Sequence, residues 1–367
     1  MSYITAIGTA NPRHRFSQET IADFMLKTMQ FNNGESRKLK TIFKASGIDY
    51  RYSVLEDYGK LSNFTFYPEP DETETFPSTV DRLKIFRQNA LALSVASVHE
   101  LMNSSSHVVP KDITHLIVVC CTGMYAPGLD IDLVRELNLS SSVQRTCITF
   151  MGCYAAFNAL KVADAFCHHD PKAKVLIVCT ELCSLHFQRT ATDDNILANA
   201  LFADGSASVL VESQTDKPLK LALENFHSDL AVNGAQDMAW TVGDLGFEMK
   251  LSAYVPDIIR GGIATLANSL LAKISKKLSD IRHFAIHPGG KKILEVIESE
   301  LGITKDQNRA AYDVLKNYGN MSSPTILFVL KEIIGKLKTE NRGERILSFA
   351  FGPGLTLESM VLKIEIS

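Results

Sequence analysis

Long apolar runs are missing from this 367-residue chain. None approaches the ~18 residues a membrane-spanning helix needs, so an integral membrane protein is not expected. A surplus of one charge is missing too. The chain has 38 Lys plus Arg against 41 Asp plus Glu, a net charge of −3. A nucleic-acid or membrane-surface binder would carry a basic surplus, so neither partner is expected. There is no C-x-x-C pair, which argues against a structural zinc site, and no metal is expected. The cysteines number seven, an odd count, and all lie between residues 120 and 183. A disulfide scaffold would be shorter and would spread them. Reduced thiols and a cytoplasmic location are therefore expected. The opening MSYITAIGTANP lacks a basic stretch followed by an apolar one, so no secretory signal is read there. Low-complexity tracts are also absent.

What is present is strand–helix alternation. Short runs rich in Val and Ile at 115–121, 145–150, 175–179, 206–212, 283–287, 346–351 and 357–366 read as buried strands. Periodic stretches at 82–102, 154–167, 257–278, 290–301 and 324–338 read as helices. The pattern predicts an α/β fold with largely buried sheets. The polar stretch 56–81 reads as a surface excursion, and SQTDKPLK at 213–220 as a boundary. A weak echo links the halves. HLIVVCCTG, from His115, leads 38 residues on to Cys153, and HFAIHPGG, from His283, leads 37 residues on to Asn320. This suggests a duplicated unit, divided into 1–213 and 214–367.

Cys153 follows the strand RTCITF and Gly152, and opens the helix YAAFNALKVADAFCHH. Unpaired N–H groups and the positive end of a helix favour a thiolate, so the position suits a nucleophile. Cys120, Cys147, Cys167 and Cys179 read instead as core residues. His287 ends a buried strand before Pro288-Gly289-Gly290, which leave room beside the imidazole. Asn320 precedes Ser323-Pro324, read as N-cap and first position of a helix, and offers an amide donor.

Taken together, GCYAAFNAL at Cys153, ALFADGSASVLV at Phe202, HPGG at His287, GNMSSPTILFVL at Asn320 and AFGPGLTLESMVL near the end resemble one family. It is the chalcone-synthase-like, or type III, polyketide synthases of the thiolase superfamily. The resemblance spans nearly the whole chain. It implies a duplicated, five-layered thiolase-like α/β fold and a homodimer. It matches Cys153, His287 and Asn320 to the catalytic triad, and Phe202 and Phe247 to two aromatic gatekeepers. Gly352 and Pro353 fall in the glycine-rich cavity loop, and Ser322 beside the triad asparagine. The substrates implied are acyl-CoA and malonyl-CoA, with no cofactor. Lys38, Lys40 and Lys44, with Lys292 after HPGG, are candidates for CoA phosphates.

The expected chemistry is iterative. A Cys153 thiolate, favoured by a protonated His287, takes the acyl group from CoA. Malonyl-CoA then loses CO₂, and His287 and Asn320 donate to the enolate oxygen. The carbanion attacks the acyl-cysteine, and the lengthened chain later cyclises. Several cavity positions depart from the flavonoid-forming plant enzymes. Cys121, Cys183 and His186 replace threonines, Met238 a glycine, and Ala126 a methionine that reaches across the dimer. An aliphatic starter giving an alkylpyrone or alkylresorcinol is therefore preferred over chalcone formation. Synthesis from malonyl-CoA alone, as in tetrahydroxynaphthalene synthases, is the alternative, followed by a KAS III-type ketoacyl synthase. A cysteine hydrolase and a silent binding protein on this fold compete more remotely.

Overall fold

The computed structural model describes the chain except for residues 30, 70–74, 106, 235–236 and 253 and the side chain of residue 233. Among the described residues, nine strands form one continuous sheet. Their spatial order is His283–Ile286, Arg345–Gly352, Thr356–Ile366, Leu219–Leu230, Tyr3–Ala10, Asp204–Glu212, Lys174–Leu182, His115–Cys120 and Gln144–Thr149. The order contains a repeat. Tyr3–Ala10 runs antiparallel to Asp204–Glu212, which runs antiparallel to Lys174–Leu182, which runs parallel to His115–Cys120. In the second copy Leu219–Leu230, Thr356–Ile366, Arg345–Gly352 and His283–Ile286 pair with the same senses. The copies meet where Tyr3 and Ile4 pair with Ala222 and Leu221. The echo between His115 and His283 thus corresponds to equivalent strands.

Helices complete five layers. Thr79–Asn103 packs on the outer face of the first copy, and Val255–Ala272 on that of the second. Between the copies lie Ala155–His169 and Thr325–Ile334, each touching strands of both. Their sequences explain the position. Ala155, Ala156, Ala159 and Ala163 let strands approach closely, and Thr325–Ile334 buries residues all round apart from its Lys331–Glu332 edge. A helix apolar on nearly every side belongs in an interior layer.

Three expectations are corrected. Cys147 is exposed, because Gln144–Thr149 is the edge strand and shows one face to solvent. The stretch 56–81 is not merely a surface excursion, although residues 70–74 of it lie outside the described residues. The fully buried Asp57 carboxylate accepts the backbone N–H groups of Thr65, Phe66 and Tyr67 at 2.8–3.0 Å. That folds Tyr58, Tyr67 and Phe76 onto Phe24 and Phe187. Ser323 does not cap the following helix through its side chain. Its hydroxyl donates to Glu181 at 2.8 Å instead.

Candidate active site

Cys153 lies in the tight turn Gly152–Tyr154, between the strand Gln144–Thr149 and the helix Ala155–His169. The turn requires its glycine. Gly152 has φ +75°, and a Cβ there would stand 2.5 Å from Cδ of Pro353. A Cβ on Gly352 would stand 2.5 Å from the Tyr154 ring. Strand end 352–353 of the second copy is thus pressed onto the cysteine turn of the first. Phe150 and Ser322, which flank the site, also hold positive φ, of 58° and 60°. Such strain gathers where surrounding structure fixes a functional geometry.

The second copy supplies the other two groups. His287 lies one residue past the strand His283–Ile286, and its N–H still pairs with the Phe349 carbonyl at 2.8 Å. Asn320 forms a bridge with Phe202: its N–H donates to Leu201 and its carbonyl accepts from Ala203, both at 2.9 Å. The Asn320 Oδ1 accepts the Ser322 N–H at 2.8 Å. Nδ2 and Oδ1 of Asn320 both stand 3.9 Å from Cys153 Sγ, and Nδ2 also donates to the Gly289 carbonyl at 3.4 Å. Cys153, His287 and Asn320 line one cavity, with Met238, Phe202 and Pro353. Met249, Leu251, Ile293 and Phe351 complete an apolar wall that the sequence reading missed.

Burial works against charge on both groups, Cys153 and His287. Burial pushes the Cys153 thiol up to about 11, although hydrogen bonds with the Ser322 and Asn320 side chains pull it back. Burial pushes the His287 imidazole down to about 3, and among the described residues neither ring nitrogen has a hydrogen-bond partner. The cost of placing charge in a dry cavity outweighs the pull of a helix end.

A second cavity lies on the other side of Phe202. Phe202 and Met249 line both cavities, whereas Cys183, His186, Trp240 and Phe247 line only the second. Buried Arg51 reaches it and donates from Nη1 to the carbonyls of Asn199 at 2.8 Å and Phe202 at 2.6 Å. Those bonds fix the end of the helix Asp193–Leu201 that carries Phe202. Cys121 stands beside the triad, its Sγ accepting the Gly152 N–H at 3.1 Å. The sequence reading also missed Glu181. Its buried carboxyl takes hydrogen bonds from the Cys121 N–H and the hydroxyls of Thr122 and Ser323, and burial raises it to about 7. A lone acid ending the apolar run KVLIVCTEL was the available signal.

The remaining candidates lie outside these cavities. Ala126 is exposed, in a cis peptide with Pro127. Lys38 pairs with Asp193, and Lys292 with Glu295 at 3.8 Å. Lys40 and Lys44 line a surface cleft against Glu19 and Asp23. Among the described residues, no group of three or more His, Cys, Asp or Glu is placed to hold a metal. Among them also, no helix is long and apolar enough to cross a membrane.

The N-terminal domain of chalcone and stilbene synthases matches residues 1–215, and the C-terminal domain of that family matches residues 223–365. The chain belongs to the chalcone and stilbene synthase family. Relatives of this type III polyketide synthase include an "alpha-pyrone synthesis polyketide synthase-like Pks18" of Mycobacterium tuberculosis, 30% identical over 99% of this chain and 91% of that protein. A putative chalcone synthase of Bacillus subtilis is also 30% identical, over 100% of this chain and 99% of that one. Among solved structures, PKS-I of the brown alga Ectocarpus siliculosus superposes with TM-score 0.91 at 28% identity, covering 99% of this chain and 98% of that one. The C-terminal type III domain of Steely1 from Dictyostelium gives 0.89 at 29% identity, covering 100% and 99%. A chalcone and stilbene synthase family member of this kind is an enzyme, a polyketide synthase.

Proposed function

We propose that this polyketide synthase condenses malonyl-CoA units onto an acyl group carried by Cys153, with His287 and Asn320 as the other catalytic residues. The observation that carries the reading is the convergence of these three, from two copies of the fold, on one buried cavity. As Sγ attacks the thioester carbonyl, the unpartnered His287 imidazole takes the thiol proton and passes it to the departing CoA sulfur. This replaces a pre-formed thiolate. The acyl group is then bound to Sγ. Malonyl-CoA loses CO₂, and the enolate oxygen receives the N–H of neutral His287 and that of Asn320 Nδ2. The carbanion attacks the acyl-cysteine, forming a carbon–carbon bond and breaking the acyl–sulfur bond, and the sulfur leaves as a thiolate that takes a proton from water. Residues 1–213 and 214–367 are read as the halves that carry the nucleophile and the donors.

An aliphatic acyl starter and an alkylpyrone or alkylresorcinol product fit best. Met238, Met249, Leu251, Ile293 and Phe351 give the Cys153 cavity an apolar lining suited to an alkyl chain. Similarity to the α-pyrone-related Pks18 supports the same choice. The CoA phosphates are assigned to the basic segments at Lys38–Lys44 and Lys292. The Lys291 side chain packs on Gly47, just past the helix Asn33–Ala45, so the two segments adjoin. Ala126 is assigned to the interface of a homodimer. The test is product mass spectrometry over a panel of acyl-CoA starters with malonyl-CoA. Alkyl-bearing pyrones or resorcinols are expected. Products from malonyl-CoA alone would favour the tetrahydroxynaphthalene type, and dependence on an acyl carrier protein the KAS III type.

A further inference from the structure

The two copies of the fold part beside their junction. Tyr3 and Ile4 pair with Ala222 and Leu221, and the ladder goes no further. A cleft of about 450 Å³ opens there, and it shares no residue with the two cavities described above. The first copy contributes Ile4, Ala6 and Ile7 to it, and the second Leu219, Leu221 and Ile334. Ile334 ends the helix Thr325–Ile334, which begins beside Asn320 and rises about 15 Å over its length. The cleft therefore lies at the far end of that helix from the triad. Among the described residues its lining holds no aromatic ring and no carboxylate, but it holds Lys217, Lys220 and Lys331. The surface cleft at Lys40 and Lys44 differs, because Glu19 and Asp23 balance its charge. Lys331 is paired with Glu100. Lys217 and Lys220 form no ion pair among the described residues. Their ammonium groups donate to main-chain carbonyls, Lys217 to that of Ser104 and Lys220 to that of Thr215 at 3.1 Å. The acids bonded to lining residues are already engaged. Glu100 also accepts from the Thr9 hydroxyl at 3.2 Å, and buried Glu212 accepts from the Thr5 hydroxyl at 2.6 Å and meets His107 at 3.0 Å.

We propose that this cleft is a binding site for a free medium-chain fatty acid, its alkyl chain lying between the two copies and its carboxylate held by Lys217 and Lys220. The chemistry of the lining selects that class. Six aliphatic side chains offer a surface from which an alkyl chain displaces water. With no ring to stack on, a nucleotide base or a planar aromatic ligand gains little there. An ammonium group carries three donors, and each of these two lysines uses one on a carbonyl, so donors remain for a carboxylate. Charge-assisted hydrogen bonds from them would hold the acid as its anion. The methylene stems of the same lysines extend the apolar surface. An occupant touches residues of both copies, so it joins them across the place where strand pairing stops. Binding to the folded chain alone stabilises it by mass action.

The experiment uses the full chain and three probes: decanoate, decan-1-ol and acetate. Titration calorimetry should show saturable binding of decanoate. Decan-1-ol, the chain without the charge, should bind about tenfold more weakly, the scale of one charge-assisted hydrogen bond. Acetate, the charge without the chain, should give no measurable heat. Because an alkyl chain could also enter the Cys153 cavity, the place of binding is read separately. Photolabelling with a decanoate that carries a diazirine, followed by peptide mapping, should mark residues 4–7, 217–221 or 331–335. The double charge reversal Lys217→Glu with Lys220→Glu should weaken decanoate binding by at least about tenfold and leave condensation at the parent rate. Absence of saturable binding overturns the proposal, as do decan-1-ol binding as tightly as decanoate and equal decanoate affinity in the folded double variant. Label confined to Met238–Leu251 or to Ile293 overturns it too, since it puts the acid in the condensing cavity. If the double variant does not fold, the photolabelling of the unmodified protein decides. A protein that forms no condensed product refutes the function proposed above and leaves these binding measurements intact.

Discussion

Replacing Asn320 by alanine isolates the oxyanion donor. The structure predicts which functions survive. The main-chain bonds of Asn320 to Leu201 and Ala203 do not involve its side chain, so Phe202 keeps its position. The loss falls on Nδ2, 3.9 Å from Sγ and 3.4 Å from the Gly289 carbonyl, and on Oδ1, which holds the Ser322 N–H at 2.8 Å and the Thr325 hydroxyl at 3.5 Å. Removing one such preorganised donor from an oxyanion site costs ~3–4 kcal/mol of transition-state stabilisation, or about 10²–10³ in rate. Leaving the Ser322 N–H unpaired costs ~1–3 kcal/mol of stability. The assay is release of CO₂ from malonyl-CoA, with acylation of Cys153 followed separately by intact-protein mass. Decarboxylation should fall by about 10²–10³ while the protein remains folded. Acylation should fall much less, because the imidazole that takes the thiol proton is untouched. A folded variant that decarboxylates within a few-fold of the parent refutes the assignment of Asn320 to the enolate.

Other perturbations follow from the same geometry. The thiol of Cys153 is pushed up to about 11, so its thiolate fraction grows with pH throughout the neutral range. Alkylation of Cys153 in the free enzyme should therefore accelerate by roughly tenfold per pH unit between pH 7 and 10, and a plateau reached below pH 7 would reveal a thiolate–imidazolium pair instead. Gly152→Ala places a Cβ in the left-handed region and 2.5 Å from Pro353. It should cost ~2–5 kcal/mol, and a urea midpoint equal to the parent's would contradict the interlocked turn. Met238→Gly enlarges the Cys153 cavity and should shift starter preference toward bulkier acyl groups, measured as kcat/KM ratios across a starter panel. Lys38→Ala should raise KM for the CoA thioester by about fivefold or less, the scale of an exposed charge contact. An unchanged KM moves the phosphate site elsewhere.

The strands His115–Cys120, Lys174–Leu182, His283–Ile286 and Arg345–Gly352 were legible because both faces are buried and their sequences are largely continuous apolar runs. The strand Tyr3–Ala10, at the centre of the sheet, was not. A Cβ on Gly8 would fall 2.1 Å from the Ser97 carbonyl, so the helix Thr79–Asn103 lies almost against this strand. Close approach demands small residues, and small residues erase the apolar signal. The helices expected at 257–278 and 324–338 end at Ala272 and Ile334, because Ile274, Leu278 and Leu337 pack against the core from beyond the helix ends. In the site, Cys153, His287 and Asn320 each carried a local signature of strand end, turn and helix start. Their resting charges were not legible, since burial is a property of the assembled cavity. Nor were Met249, Leu251 and Trp240, which reach the cavities only after the hairpin folds back over them.

The central claim is that the growing chain is carried on one sulfur. Peptide mapping after brief exposure to an acyl-CoA, followed by a malonyl-CoA chase, tests it most directly. The account predicts a thioester on Cys153 alone among the seven cysteines, discharged into carbon–carbon-bonded product by the chase. An acyl group on Cys121 or Cys183 instead, or product formation by Cys153→Ala at the parent rate, would contradict it.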